Sequence, residues 1–171
     1  MKKLLFVFFL IFISGCALLQ TKGENLPWPS GVQSLTGEGD FDVVWGNERF
    51  SGPFMVRMEY PDRFLLEVFG PFGETLVYVH KEAGRFLLVA GDKKTTDEAV
   101  FARRYGFGIS QFLNDLALGA QKQEMPEGWT TEHERYRVEY NLDSQGRKMI
   151  RWENRNGSVC LTFDELSLVR Q

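Results

Sequence analysis

Residues 54–79 read FMVRMEYPDRFLLEVFGPFGETLVYV. Three apolar runs are separated by Pro61-Asp62 and by Gly70-Pro71-Phe72-Gly73. In the first run Phe54, Val56, Met58 and Tyr60 fall on one face, and Arg57 and Glu59 on the other. In the second, Phe64, Leu66 and Val68 alternate with Leu65, Glu67 and Phe69. A repeat of two is the signature of a strand with one buried face. Links this short pair neighbouring strands with each other, so the stretch predicts an antiparallel meander, with Pro61 ending its first strand.

Further along, Tyr136, Val138 and Tyr140 alternate with Arg135, Arg137 and Glu139, and Val159, Leu161 and Phe163 repeat the pattern. Gly46-Asn47 suits a two-residue turn with glycine first. Asn156-Gly157 suits a type I′ turn. Gly84, Gly91-Asp92 and Gly146 mark other turns.

The pattern breaks over 96–119, TDEAVFARRYGFGISQFLNDLALG. Thr96 or Asp97 is placed to cap a short helix with Val100, Phe101 and Tyr105 on one side. Ser110 suits the N-cap of a second, with Phe112, Leu113, Leu116 and Ala117 as its apolar face and Gly119 as its stop. A sheet with one apolar face must cover it, and these helices are the candidates. The expected fold class is therefore mainly β (α+β), a curved antiparallel sheet under a short helical lid.

The chain has 15 Phe, 5 Tyr and 4 Trp in 171 residues. Such rings either fill a solid core or prop the lid away from the sheet and leave a hollow. Close packing is the norm for protein interiors, so composition alone favours the solid core. If there is a hollow, alternation turns Val56, Met58, Leu66, Val68, Phe86 and Leu88 toward it, with Phe101, Phe112 and Leu116 closing it from the helices. A slip of one residue would invert that assignment.

The chain opens MKKLLFVFFLIFISGCALLQ. Two lysines precede an apolar run from Leu4 to Ile13, shorter than the roughly 20 residues a helix needs to span a bilayer. A basic start, an apolar run of this length and small residues after it describe a signal peptide. Ile13-Ser14-Gly15-Cys16 resembles the bacterial lipoprotein box, in which the cysteine becomes the acylated first residue of the mature protein. That resemblance implies lipidation of Cys16 and, with no aspartate after it, residence in the outer membrane facing the periplasm. The expected organisation is a signal peptide over 1–15, the lipidated cysteine and a polar, Pro-containing tether over 16–34, and one domain over 35–171. Of the 2 cysteines, Cys160 is then left without a disulfide partner. It lies in the strand-like SVCLTF, where a buried inert thiol is expected.

The net charge of −3 and the lack of a basic patch argue against nucleic acid. His80 and His133 are each assigned to a strand, and neither has metal-ligand spacing to a second ligand. Gly106-Phe107-Gly108 lacks the third glycine of a dinucleotide site. There is no G-x-S-x-G elbow, and no carboxylate pair is nominated for acid–base work. No enzyme activity, cofactor or metal is expected.

Phe50-Ser51-Gly52-Pro53-Phe54 through Tyr60, Leu65 to Leu76 with its Gly70-Pro71-Phe72-Gly73-Glu74-Thr75 turn, Phe107-Gly108-Ile109 through Leu118-Gly119, and Gly128-Trp129 together resemble the LolB family of outer-membrane lipoprotein receptors. The resemblance covers roughly 35–169 as a pattern of spacings. It implies a half-barrel with a helical lid and an apolar cavity that takes the acyl chains of lipoproteins from the periplasmic carrier LolA and releases them into the outer membrane. A monomer is expected. A hydrophobic residue in the projecting turn serves release in that family, and the matching position is Phe72, between Pro71 and Gly73. Pro71 and Gly73 suit the backbone of a tight turn, but nothing in a turn demands a ring at position 72. It either folds back on its own sheet or enters the membrane. Two other readings stay open: a carrier of another hydrophobic ligand in the same fold, and a structural or assembly lipoprotein with a solid core.

Overall fold

The computed structural model describes residues 28–117, 123–125 and 128–170. Eleven strands are seen among them: β1 (Val32–Trp45), β2 (Glu48–Glu59), β3 (Arg63–Phe69), β4 (Thr75–Glu82), β5 (Arg85–Ala90), β6 (Lys93–Thr95), β7 (Gln123–Met125), β8 (Gly128–Glu132), β9 (Arg137–Leu142), β10 (Lys148–Asn154) and β11 (Gly157–Arg170). Helices α1 (Glu98–Tyr105) and α2 (Ile109–Ala117) fall between β6 and β7. The strands form one antiparallel sheet in the order β6-β5-β4-β3-β2-β1-β11-β10-β9-β8-β7. It is two meanders joined by the first and last strands, and it stays open, with β6 and β7 as its edges.

The repeat of two sets the faces. Phe54, Val56 and Met58 of β2, Phe64, Leu66 and Val68 of β3, Val138 and Tyr140 of β9, and Val159, Leu161 and Phe163 of β11 are all buried. Tyr60 departs from its run. It is 42% exposed, just past the end of β2.

One turn and one helix start are built differently from expectation. Asn154 pairs with Gly157, so the β10–β11 turn holds Arg155 and Asn156 rather than Asn156 and Gly157. The Asn154 side chain accepts from the Asn156 backbone N–H at 2.8 Å. Gly157 is needed for another reason: a Cβ there would collide with the carbonyl of Val44 on β1. The second departure is at α2. Ser110 is not its cap but lies in its first turn. The Gly108 carbonyl accepts from Phe112 N–H at 3.0 Å, and the Gln111 side chain accepts from Gly108 N–H at 2.7 Å. That is the return arm of a capping box, supplied by Gln at the third helical position. Asp97 does cap α1, accepting from Ala99 N–H at 2.8 Å, and Gly106 ends that helix at φ 79°. Val100 of α1, expected on the apolar side, is 39% exposed. Gly119, expected to stop α2, lies outside the described residues.

The helices pack into a concave sheet. The Phe112 ring lies 5.5 Å from Phe64 on β3 and 4.1 Å from Trp152 on β10. A flat sheet would hold β3 and β10 roughly 19 Å apart, four strand spacings. Both reach one ring only if the sheet curls around the helices. A register shift between Glu38 and Gly39 in the long β1–β11 pair is the sort of bulge that bends a sheet.

Part of the expected tether belongs to the fold. Trp28 is 0% exposed, and its indole N–H donates to the Leu116 carbonyl at 2.8 Å. Its ring lies 5.4 Å from Phe163 and 6.2 Å from Tyr140. Val32 is buried at the start of β1. A large indole with a satisfied N–H behaves as core.

Candidate functional site: an apolar cavity under the first helix

The space between sheet and helices divides in two. Around α2 it is filled by Trp28, Tyr140, Ile150, Trp152, Leu161 and Leu116, all essentially without solvent exposure. Between α1 and strands β1–β5 an apolar cavity of about 350 Å³ remains. Its floor includes Phe41 and Val43 of β1, Phe50 of β2, Leu66 of β3, Val79 of β4 and Leu88 of β5, and its roof includes Phe101, Phe107, Ile109 and Phe112. The volume falls at the low end of the roughly 300–1,000 Å³ usual for ligand sites.

Edge-to-face and stacked rings hold the roof. Phe101 meets Phe86 at 5.9 Å and Tyr105 at 4.9 Å, and Phe107 stacks on Phe112 at 6.1 Å. Lys81 of β4 ties both helices down at one end, donating to Glu98 Oε1 at 2.7 Å and to Ser110 Oγ at 3.2 Å. At the other end of α1, Arg104 pairs with Glu48 of β2 at 3.0 Å, and Asn154 donates to the Tyr105 carbonyl at 3.0 Å.

Of the nine residues expected to face a hollow, all are buried in one apolar cluster. Leu66, Leu88, Phe101 and Phe112 line the cavity. Val56, Met58, Val68, Phe86 and Leu116 are packed into the core and do not line it. Leu116 lies beneath Trp28 in the filled half. Cys16 lies outside the described residues.

The cavity's polar groups gather at one place. Glu48 and Arg104 are the only charged side chains among those lining it. Burial raises the Tyr105 hydroxyl above its ordinary pKa, with Arg104 opposing and Glu48 adding to the rise, so this third polar group is neutral. Leu76 and Gly91 line the cavity at the same end of the sheet, where Gly91 N–H donates to Leu76 carbonyl at 3.1 Å.

That end also carries the Phe72 turn, between β3 and β4. Gly73 N–H donates to the Gly70 carbonyl at 3.0 Å, and Gly73 adopts φ 80°, which disfavours any residue with a Cβ. Glu74 completes the turn. Its backbone carbonyl accepts from Gly70 N–H at 2.8 Å and its carboxylate from Phe72 N–H at 3.0 Å. On this braced backbone the Phe72 ring is 94% exposed, so it does not fold back on the sheet.

A buried polar cluster holds α2 in place. Asp115 is 0% exposed. Its carboxylate accepts from the Tyr136 hydroxyl and the Trp152 indole N–H, each at 3.0 Å, and bonds His133 Nε2 at 2.9 Å. Its backbone carbonyl accepts from Tyr140 at 3.0 Å. Burial raises the Asp115 pKa, while His133 and these hydrogen bonds pull it down. His133 is not in a strand as expected. It follows β8, in the turn closed by its N–H to the Tyr136 carbonyl at 2.9 Å. Through these bonds the cluster ties α2 to β9, to β10 and to the turn after β8. Cys160 is buried on β11, and burial raises its thiol pKa. Among the described residues no group of three or more His, Cys, Asp or Glu is placed to hold a metal, and no helix is long and apolar enough to cross a membrane.

The hollow was legible only as one of two alternatives, but some of its lining carried a signal. Val77 and Val79 alternate with Tyr78 in the quoted stretch, and Phe107 and Ile109 flank Gly108 at the link between the helices. Glu48 and Arg104 carried none, because exposed charges on a strand end and a helix end are ordinary. No protein-family model and no curated protein matches the chain.

Proposed function

We propose that this chain is a lipid-anchored receptor of the outer membrane, a half-barrel under a helical lid that binds acyl chains of lipoproteins and inserts them into the membrane. The apolar cavity of about 350 Å³ carries the reading. A solid-core scaffold needs no such hollow, and an unoccupied apolar space costs dispersion contacts on its walls. Anchoring through Cys16 and delivery by LolA follow from the resemblance to the LolB family.

The turn at 70–74 supplies the release step. An exposed aromatic ring on a rigid turn, at the end of the sheet where Leu76 and Gly91 line the cavity, suits insertion between lipid chains. Burying a phenylalanine is worth roughly 1.5–3 kcal/mol. That is little beside an acyl anchor, at about 0.8 kcal/mol per methylene, but enough to orient the cavity mouth toward the bilayer.

Phe72→Glu tests this directly. The ring touches little in the fold, so thermal stability and cargo uptake are expected to stay at wild-type levels. Transfer of a bound acylated lipoprotein to liposomes is expected to fall by at least about tenfold, the equivalent of some 1.4 kcal/mol. Transfer at the wild-type rate would remove Phe72 from the mechanism.

A second reading is favoured by the size of the cavity. At ~30 Å³ for a group the size of water, it holds about a dozen methylene-sized units, which is one chain. An acylated lipoprotein carries three. A carrier for a single-chain amphiphile fits the same geometry.

A further inference from the structure

The cavity's walls carry charge only where Glu48 and Arg104 meet at 3.0 Å. We propose that the cavity takes a single acyl chain ending in an anionic head group, carboxylate or phosphate, and that Arg104 binds the head after exchanging Glu48 for it. This rests on the reading of the cavity as an acyl-chain site.

Arg104 is poised for exchange rather than committed to Glu48. The pair is exposed, with side-chain accessibilities of 41% for Arg104 and 71% for Glu48, and pairs of this kind contribute little to stability. Releasing Glu48 to water therefore costs little. The guanidinium stays positioned without it, lying 5.7 Å from the centroid of the Tyr105 ring, and Tyr105 is held through its carbonyl by Asn154. A planar guanidinium with several N–H donors accepts a carboxylate or phosphate in two-point contact. The chain of such a ligand would run inward beneath Phe101 and Phe107, and its head would remain among the exposed groups at the mouth. A neutral head would leave the ion pair intact and gain nothing from Arg104.

The test is a competition on the full chain in a neutral detergent. Dodecanoate, dodecyl phosphate and dodecanol are offered at equal concentration. The protein is recovered by gel filtration, and the bound chains are extracted and quantified by mass spectrometry. Each acid-to-alcohol ratio is divided by that of Arg104→Gln, which cancels unequal partition into micelles. Wild type is expected to exceed Arg104→Gln by about fivefold, the scale of one exposed charge pair, and Glu48→Gln is expected to exceed wild type. Which acid gains more identifies the head as carboxylate or phosphate. Equal ratios in wild type and Arg104→Gln, with alcohol and acids all bound, would overturn the head-group assignment and leave the acyl-chain site standing. Absence of all three ligands from wild type would overturn both. Far-UV circular dichroism of each variant confirms that the fold is kept.

Discussion

Trp28→Ala is expected to destabilise the domain by about 3–5 kcal/mol, the usual cost of deleting a fully buried large aromatic side chain. Trp28 is one of the largest fully buried side chains, and it joins three elements at once. It packs on Phe163 of β11 and Tyr140 of β9 and donates to Leu116 of α2. Its loss would leave a void and remove the hydrogen bond to the Leu116 carbonyl. Urea denaturation read by tryptophan fluorescence and circular dichroism measures the change. A loss below about 1 kcal/mol, the range of ordinary surface substitutions, would mean that residue 28 belongs to the tether. Trp28→Phe should recover much of the packing but not the hydrogen bond.

Asp115→Ala is expected to cost a similar amount through lost hydrogen bonds. Removing the carboxylate strands the Tyr136 hydroxyl, the Trp152 N–H and His133 against α2. Each buried group left unpaired costs about 1–3 kcal/mol, and three groups lose their acceptor together. Asp115→Asn keeps an acceptor without the charge and should cost less. The two variants also separate in pH. Burial holds the Asp115 pKa above its unfolded value, so folding favours the protonated acid. That contribution is full below the unfolded pKa and is lost as pH rises through the folded one. The stability of wild type relative to Asp115→Asn should therefore decline with rising pH across that window. A flat difference would show that the charge contributes nothing.

Strand faces were readable because a repeat of two is local: Val56, Leu66, Val138 and Leu161 need only their own neighbours to be assigned. The closing pair of β1 with β11 was not, since nothing in either strand specifies a partner more than a hundred residues away. Local preferences also lost to tertiary contacts. Asn156-Gly157 is a favoured turn dipeptide, but the approach of Val44 claims the glycine, and the turn moves back by one residue. Ser110 is a good cap, yet Gln111 lets Gly108 serve instead. Trp28 lies between Pro27 and Pro29, which made it look like tether. Asp115 did leave a trace, because it lies three residues after Phe112 and one before Leu116, inside the apolar stripe of α2. A carboxylate in that position asks for buried donors, but those donors sit on distant strands. A hollow cannot be read from alternation at all, since the same residues fill a core or line a cavity according to how far the helices stand from the sheet.

The most direct test of the central claim is to ask what the cavity holds and to fill it. Ala90 lines the cavity on β5, opposite the helical roof. A phenylalanine there would occupy the hollow without removing a packed side chain. The full chain and its Ala90→Phe variant are purified in a neutral detergent, and their bound lipids are extracted and identified by mass spectrometry. Near-stoichiometric acyl-chain ligand is expected on the wild type and its loss from Ala90→Phe, with the variant folded by circular dichroism. The same trace of lipid on both proteins would contradict the claim.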